Sequence, residues 1–195
     1  MRVIAGLYKG RRLATPTWSG LRPTSDRLRE TLFDILARRV EGARVLDGFA
    51  GTGALGIEAL SRGAAHVTFA ERDRRAIALI AENLRRCGIR GGYAMMRGTV
   101  EGVAGRAARR QFDLILLDPP YDLAETQAIV EAVGRTLTDG GLLVLEHAKR
   151  RVAPVAAGDL VRTRDVVSGD SGLAFYRHGR ELAAPAAPCL SGDEA

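Results

Sequence analysis

From Ala43 onward, short apolar runs alternate with segments whose apolar residues recur at helical spacing, and few folds are compatible with that alternation. Arg44–Phe49 reads as a strand, Ala50–Gly53 as a glycine-rich loop, and the residues up to Ser61 as a short helix closed by Gly63. His66–Glu71 is the second strand. Asp73 caps a helix with Ile77, Ile80, Ala81 and Leu84 on one face, ending at Gly88. Tyr93–Arg97 is a weaker third strand. Phe112–Leu117 is apolar at every position but Asp113, as a central parallel strand should be. A helix is expected over Ala124–Leu137 with Ile129, Val133 and Leu137 inward, and Asp139-Gly140-Gly141 then leads into strand Leu142–Glu146. Val161–Val167 and Leu173–Arg177 read as a terminal antiparallel pair joined through Ser168–Gly172. The pattern predicts an α/β fold built on a doubly wound, mostly parallel sheet.

Three parts are expected: a basic N-terminal extension over 1–40, a Rossmann-like body over 41–180, and an Ala/Pro-rich tail over 181–195. The tail has little to bury and is expected to be disordered. In the extension, Val3–Ala14 reads as a hairpin around Lys9-Gly10-Arg11, and Thr15–Pro23 as a turn-rich connection. A helix starts near Thr24, with Thr24 or Ser25 as its cap. Leu28, Leu32, Ile35 and Leu36 make its apolar face, and Asp26, Glu30 and Asp34 make an acidic stripe that Arg27 and Arg38 are expected to neutralise.

The 195 residues, 46% of them apolar, can bury one core. No apolar run is long enough to span a bilayer, and the N-terminus lacks a signal-peptide segment. Cys87 and Cys189 give no disulfide framework, and His66, His147 and His178 show no metal-ligand spacing. The expectation is a cytoplasmic protein with no metal and no membrane partner. Charge is distributed unevenly: residues 1–40 hold nine basic and three acidic side chains, while the rest holds twenty of each. The whole net charge of +6 therefore lies in the first fifth of the chain, which favours a polyanionic partner, nucleic acid above all. The bland reading is a solubilising surface in an Arg-rich chain.

Ligands of doubly wound sheets bind at the carboxyl ends of the strands. Gly51-x-Gly53-x-x-Gly56 follows the first strand and Glu71 ends the second, the order expected of an adenosine-containing cofactor with its ribose on the carboxylate. Asp47 at the entry of the loop suits the cationic amino group of S-adenosylmethionine better than a pyrophosphate. After the apolar strand stands Asp118-Pro119-Pro120-Tyr121. The prolines stiffen the backbone and remove two N–H donors, so a carboxylate and a carbonyl make an acceptor pocket for an –NH2 group. The Tyr121 ring offers a stacking surface for a planar base. An exocyclic amine is a poor nucleophile because its lone pair is delocalised; accepting its hydrogens draws the nitrogen toward sp3 and frees that pair.

Asp47–Gly56 together with Asp118–Tyr121 resembles the class I S-adenosylmethionine-dependent methyltransferases that act on exocyclic amines. Val3–Leu13, Leu21–Phe33 and Gly53–Gly63 are similar to the RsmD-type 16S rRNA (guanine-N2)-methyltransferases, over essentially Val3 to Arg177. The resemblance implies a seven-stranded Rossmann-like sheet and methylation of one guanine in small-subunit ribosomal RNA, free or within a 30S subunit, by a monomer. It implies that Asp47, Gly51 and Gly53 hold the methionine part of the cofactor, and that Phe49 also belongs to the cofactor site. Glu71 would take the ribose hydroxyls, with Arg72 beside the adenine. Asp118, Pro119, Pro120 and Tyr121 would be catalytic, and Arg11, Arg12, Arg22, Thr24 and Arg29 would meet RNA. Where many relatives have an acid after the third strand, this chain has Gly98-Thr99, so adenine must be met by backbone or a hydroxyl there. Alternatives are an N6-adenine methyltransferase acting on DNA or another RNA, a nucleotide-dependent oxidoreductase, and a non-catalytic RNA-binding protein.

Overall fold

The computed structural model describes residues 1–18, 26–120 and 125–182. Arg22, Thr24, Tyr121 and the expectation for the tail beyond 182 lie outside the described residues. The strands are β1 (Arg44–Gly48), β2 (His66–Glu71), β3 (Tyr93–Arg97), β4 (Phe112–Leu117), β5 (Leu137–Ala148), β6 (Ala156–Ala157), β7 (Leu160–Ser168) and β8 (Ser171–His178). They form one sheet in the order β3-β2-β1-β4-β5-β8-β7-β6. β1 through β5 run parallel, and β8, β7 and β6 add antiparallel strands beyond β5. The chain winds outward from β1 to β3 and returns to lay β4 on the other side of β1. The topological switch point, where such sheets bind ligands, therefore falls between β1 and β4.

Among the described residues the sheet has eight strands rather than seven. The additional one is β6, two alanines paired with Leu160 and Val161, too short to leave a periodic signal. The helices are α1 (Asp26–Leu36), α2 (Ala54–Ser61), α3 (Arg74–Arg86), α4 (Val100–Arg106), α5 (Thr126–Gly134) and α6 (Gly179–Leu182). Apolar residues of α1, α2 and α3 pack on one face of the sheet (Leu28, Phe33, Ile57, Ile80), and those of α4 and α5 pack on the other (Val103, Ile129, Val133).

Several local expectations change. α3 turns Ala76, Ile80, Asn83 and Leu84 inward, leaving Ile77 half-buried and Ala81 exposed. α4 was not expected; Thr99 caps it, its hydroxyl oxygen accepting from Gly102 N at 3.2 Å. α5 stops at Gly134, and Leu137 begins β5 by pairing with Phe112 instead of ending a helix. Glu181 and Leu182, assigned to the tail, complete α6.

The extension folds onto the body. Instead of a regular hairpin, residues 1–13 close through one antiparallel bridge, Arg2 to Arg12, and backbone bonds such as Val3 N to Arg11 O at 3.0 Å. The fully buried Glu58 carboxylate accepts from Ile4 N at 2.7 Å and Ala5 N at 3.0 Å, and Ser61 Oγ accepts from Tyr8 N at 3.0 Å.

Candidate active site

The site is built at the carboxyl ends of β1, β2 and β4. After β1 the backbone turns through Phe49 at φ 62° and Gly53 at φ 76°, the latter at the N-terminus of α2. A left-handed phenylalanine is strained, and the surrounding bonds hold it. Ala50 N donates to Ala70 O at 3.1 Å, Gly51 N to a Glu71 carboxylate oxygen at 2.9 Å, and Gly53 N to Ala50 O at 2.6 Å. The last glycine of the fingerprint serves packing: a Cβ on Gly56 would lie 2.3 Å from Phe69.

Asp47 is buried, and its carboxylate accepts from Gly56 N at 2.8 Å. Burial pushes this carboxyl well above the ordinary carboxylate range; the Gly56 bond opposes the shift, and the charges of Asp118 and Glu71 add to it. A cation at this point would offset the cost. The other oxygen of Glu71 accepts from Arg72 N at 2.7 Å and Asp73 N at 2.9 Å, so Glu71 knits the first loop to the start of α3.

Asp47, Phe49, Gly51, Glu71 and Arg72 line one cavity of about 790 Å³ with Asp118, Pro119 and Pro120. Of the cofactor and acceptor residues expected from sequence, Gly53 does not line this cavity but stands at the N-terminus of α2, and Tyr121 lies outside the described residues. Thr99 also lines the cavity, with its hydroxyl oxygen engaged as the α4 cap. Among the described residues no group of three or more His, Cys, Asp and Glu is placed to hold a metal.

The arginines of the extension divide differently. Arg29 is 0% exposed, donates to Arg2 O and pairs with Asp26 at 2.7 Å, so it holds the extension's fold and is not available to RNA. The acidic stripe is answered by Arg29 and by Arg62, which lies 3.9 Å from Asp34, rather than by Arg27 and Arg38. Arg27 lines the cavity. Arg11 is exposed but donates to Cys87 O and lies over the Tyr8 ring. Arg12 is exposed.

Several site residues escaped the sequence. Trp18 lines the cavity, its ring 5.0 Å from the Arg75 guanidinium, and nothing in its turn-rich stretch marked it. Asn83 is fully buried; its amide accepts from Ala14 N at 2.7 Å and donates to Ala14 O at 3.2 Å and Thr52 O at 2.9 Å. It clasps the extension to the glycine loop, and a polar residue inside an apolar helical stripe was its signal. Glu146 at the end of the parallel part of β5, and Ser168–Ser171 at the β7–β8 turn, complete the wall.

The model of the family described as Conserved hypothetical protein 95 matches residues 1–177. The chain is 37% identical to Ribosomal RNA small subunit methyltransferase D of Haemophilus influenzae, covering 76% of this chain and 79% of that protein. It is 34% identical to the protein of the same name from Escherichia coli K12, covering 91% and 89%. The solved structure of the Escherichia coli protein yhhF, described as a candidate methyltransferase, superposes with a TM-score of 0.79 at 32% identity, over 91% of this chain and 97% of that one.

Proposed function

This chain belongs to the Conserved hypothetical protein 95 family, the RsmD-type methyltransferases, and on that premise we propose that it transfers a methyl group from S-adenosylmethionine to the exocyclic N2 amine of one guanine in 16S ribosomal RNA. The observation that carries the reading is the single cavity in which Asp118, Pro119 and Pro120 face the glycine loop, Asp47 and Glu71. Its volume lies in the range of cofactor sites, and a buried carboxylate with a raised pKa suits a ligand that brings an ammonium group. The cofactor supplies an electrophilic methyl group on a sulfonium.

The chain's own residues do the rest. Asp47 holds the ammonium, with Phe49, Gly51 and Gly53 around the methionine part. Glu71 accepts from the ribose hydroxyls, and Arg72 lies beside the adenine. Asp118 and the carbonyl of Pro119 accept the hydrogens of the target amine, which localises the lone pair on nitrogen, and Tyr121 stacks on the base. Arg12, Arg22 and Thr24 contact the phosphate backbone. A ribosomal substrate sets the work in the cytoplasm, on free RNA or an assembling 30S subunit, by a monomer.

The test is to map methylated nucleotides in 16S rRNA from cells lacking this protein, with and without complementation. One guanine should lose its N2 methyl group and regain it with wild type but not with Asp118→Ala. A methyl group missing from an adenine instead would overturn the reading.

A further inference from the structure

The body of the protein sums to zero charge, yet its charges are not spread evenly. Three consecutive cations, Lys149, Arg150 and Arg151, follow β5 directly, and all three are exposed. They stand at the carboxyl edge of the sheet, where the cavity opens. Ala148 pairs with Ser171, and Lys149 N donates to Asp170 O at 2.8 Å; Asp170 and Ser171 both line the cavity.

The turn that carries these cations is fixed. Arg151 N donates to Ala148 O at 2.8 Å, and Nδ1 of the His147 ring lies 2.8 Å from Arg151 O. The other ring nitrogen meets the Asp165 carboxylate at 3.2 Å. Gly172 leaves room for that ring: a Cβ there would lie 2.5 Å from it. The cations are thus presented on a backbone that is already ordered, so little entropy remains to be lost there on binding.

Strand order decides which part of a ligand this turn meets. Asp47 and Glu71 stand at the ends of β1 and β2, and Asp118 follows β4. β5 lies beyond β4, on the side away from β1 and β2. A cofactor over β1 and β2 delivers its methyl group towards β4, so the substrate comes in from the β5 side. A base taken out of its stack into such a cavity brings its own backbone to the mouth, with a phosphate on either side. Arg11, by contrast, bonds to the Cys87 carbonyl at the far end of α3, whose 13 residues span about 20 Å from their start beside the cavity.

We propose that Lys149 and Arg150 form an RNA-backbone site on the catalytic body, holding the phosphates next to the nucleotide whose base enters the cavity. The inference rests on the ribosomal RNA reading above and holds whichever atom of the base is methylated.

The test uses the full chain with Lys149→Gln and Arg150→Gln together, against a protein-free 16S rRNA segment and against 30S subunits from cells lacking this protein. On the RNA segment, the slope of log affinity against log salt should become shallower by about 1.4, at about 0.7 per phosphate contact on a single strand. On subunits, kcat/KM should fall about tenfold, carried by KM rather than kcat. The cofactor dissociation constant and the melting temperature should stay near wild type, because exposed side chains on a turn contribute little to the fold. Exchanging the two cations, Lys149→Arg with Arg150→Lys, keeps the charge and should keep the wild-type slope.

An unchanged slope in the neutral variant overturns the inference, and so does a charge-preserving exchange that is equally damaging. A lower kcat/KM on subunits with unchanged affinity for protein-free RNA assigns the turn to a ribosomal protein and overturns it too. If wild type methylates no nucleotide of the subunit, the functional reading itself has failed; the slope on free RNA is read separately and tests the site by itself.

Discussion

The first forty residues and the sheet body differ completely in charge and hardly at all in packing. The extension holds the entire net charge of +6, the rest none. Yet Val3, Leu13, Leu28 and Phe33 of the extension belong to the same apolar cluster as Val45, Phe69 and Leu116 of the body. Asn83 ties Ala14 to the glycine loop, and Trp18 reaches the cavity at the strand ends. Charge can be segregated along a chain because it sits on the surface, where water screens it. Apolar area cannot, because a segment this short cannot bury its own. The extension is therefore distinct electrostatically and continuous mechanically, and its cofactor-side contacts couple the two regions.

The largest expected effect belongs to the body alone. Asp118→Ala should lower methyl transfer by roughly a hundredfold or more, and Asp118→Asn by less because an amide oxygen still accepts. Cofactor affinity, measured by calorimetry, should stay near wild type. Next comes the clasp. Asn83→Ala strands the buried Thr52 carbonyl, at about 1–3 kcal/mol, and the half-buried backbone groups of Ala14, at less. It should lower the melting temperature by several degrees, at roughly 2–4 °C per kcal/mol for a chain of this size. It should also weaken cofactor binding and reduce the fluorescence response of Trp18, the sole tryptophan, to added cofactor. Unchanged cofactor affinity in that variant would mean that the extension is separable after all.

Glu71→Ala should raise the cofactor dissociation constant by about tenfold, the value of one or two lost charge-assisted bonds, with RNA affinity little changed. A smaller change is expected in salt dependence. If both touch phosphate, replacing Arg12 and Arg22 by Ala should make the slope of log affinity against log salt shallower by about 1.4, at about 0.7 per contact on single-stranded RNA. Arg11 is best left out of that variant: its bond to Cys87 O anchors the extension to the end of α3, so Arg11→Ala is expected to affect stability as well. An unchanged slope would show that the basic surface only solubilises.

The smallest effect is in protons. Burial raises the Asp47 carboxyl in the free protein, while a bound ammonium favours its ionised form and lowers it again. Cofactor binding should therefore release a proton, and affinity should rise with pH between the carboxyl's value in the complex and its higher value in the free protein. Calorimetry in buffers of different ionisation enthalpy measures this directly. No proton release would mean that Asp47 does not meet the ammonium.

Much of the fold was legible because its signals are local. Apolar runs such as Leu114–Leu117 and the glycines after β1 reflect backbone geometry and burial that the chain carries at every position. The same locality placed Asp47, Glu71 and Asp118 at strand ends, and hence at one edge of a parallel sheet. What sequence reading missed was pairing across distance. β6 exists because two alanines meet β7, and Leu137 is a strand residue because Phe112 lies beside it. Arg29 reads as an RNA ligand by its charge, and only its burial, with bonds to Arg2 O and to Asp26 one turn earlier on α1, makes it structural. Asn83, Trp18 and Glu146 joined the site from three separate elements. By itself the sequence determined which segments form strands and helices and which carry acceptors, since propensity and periodicity act between near neighbours. Only the tertiary structure decided which side chains face one cavity, because strand order and register bring together residues that share no local signal.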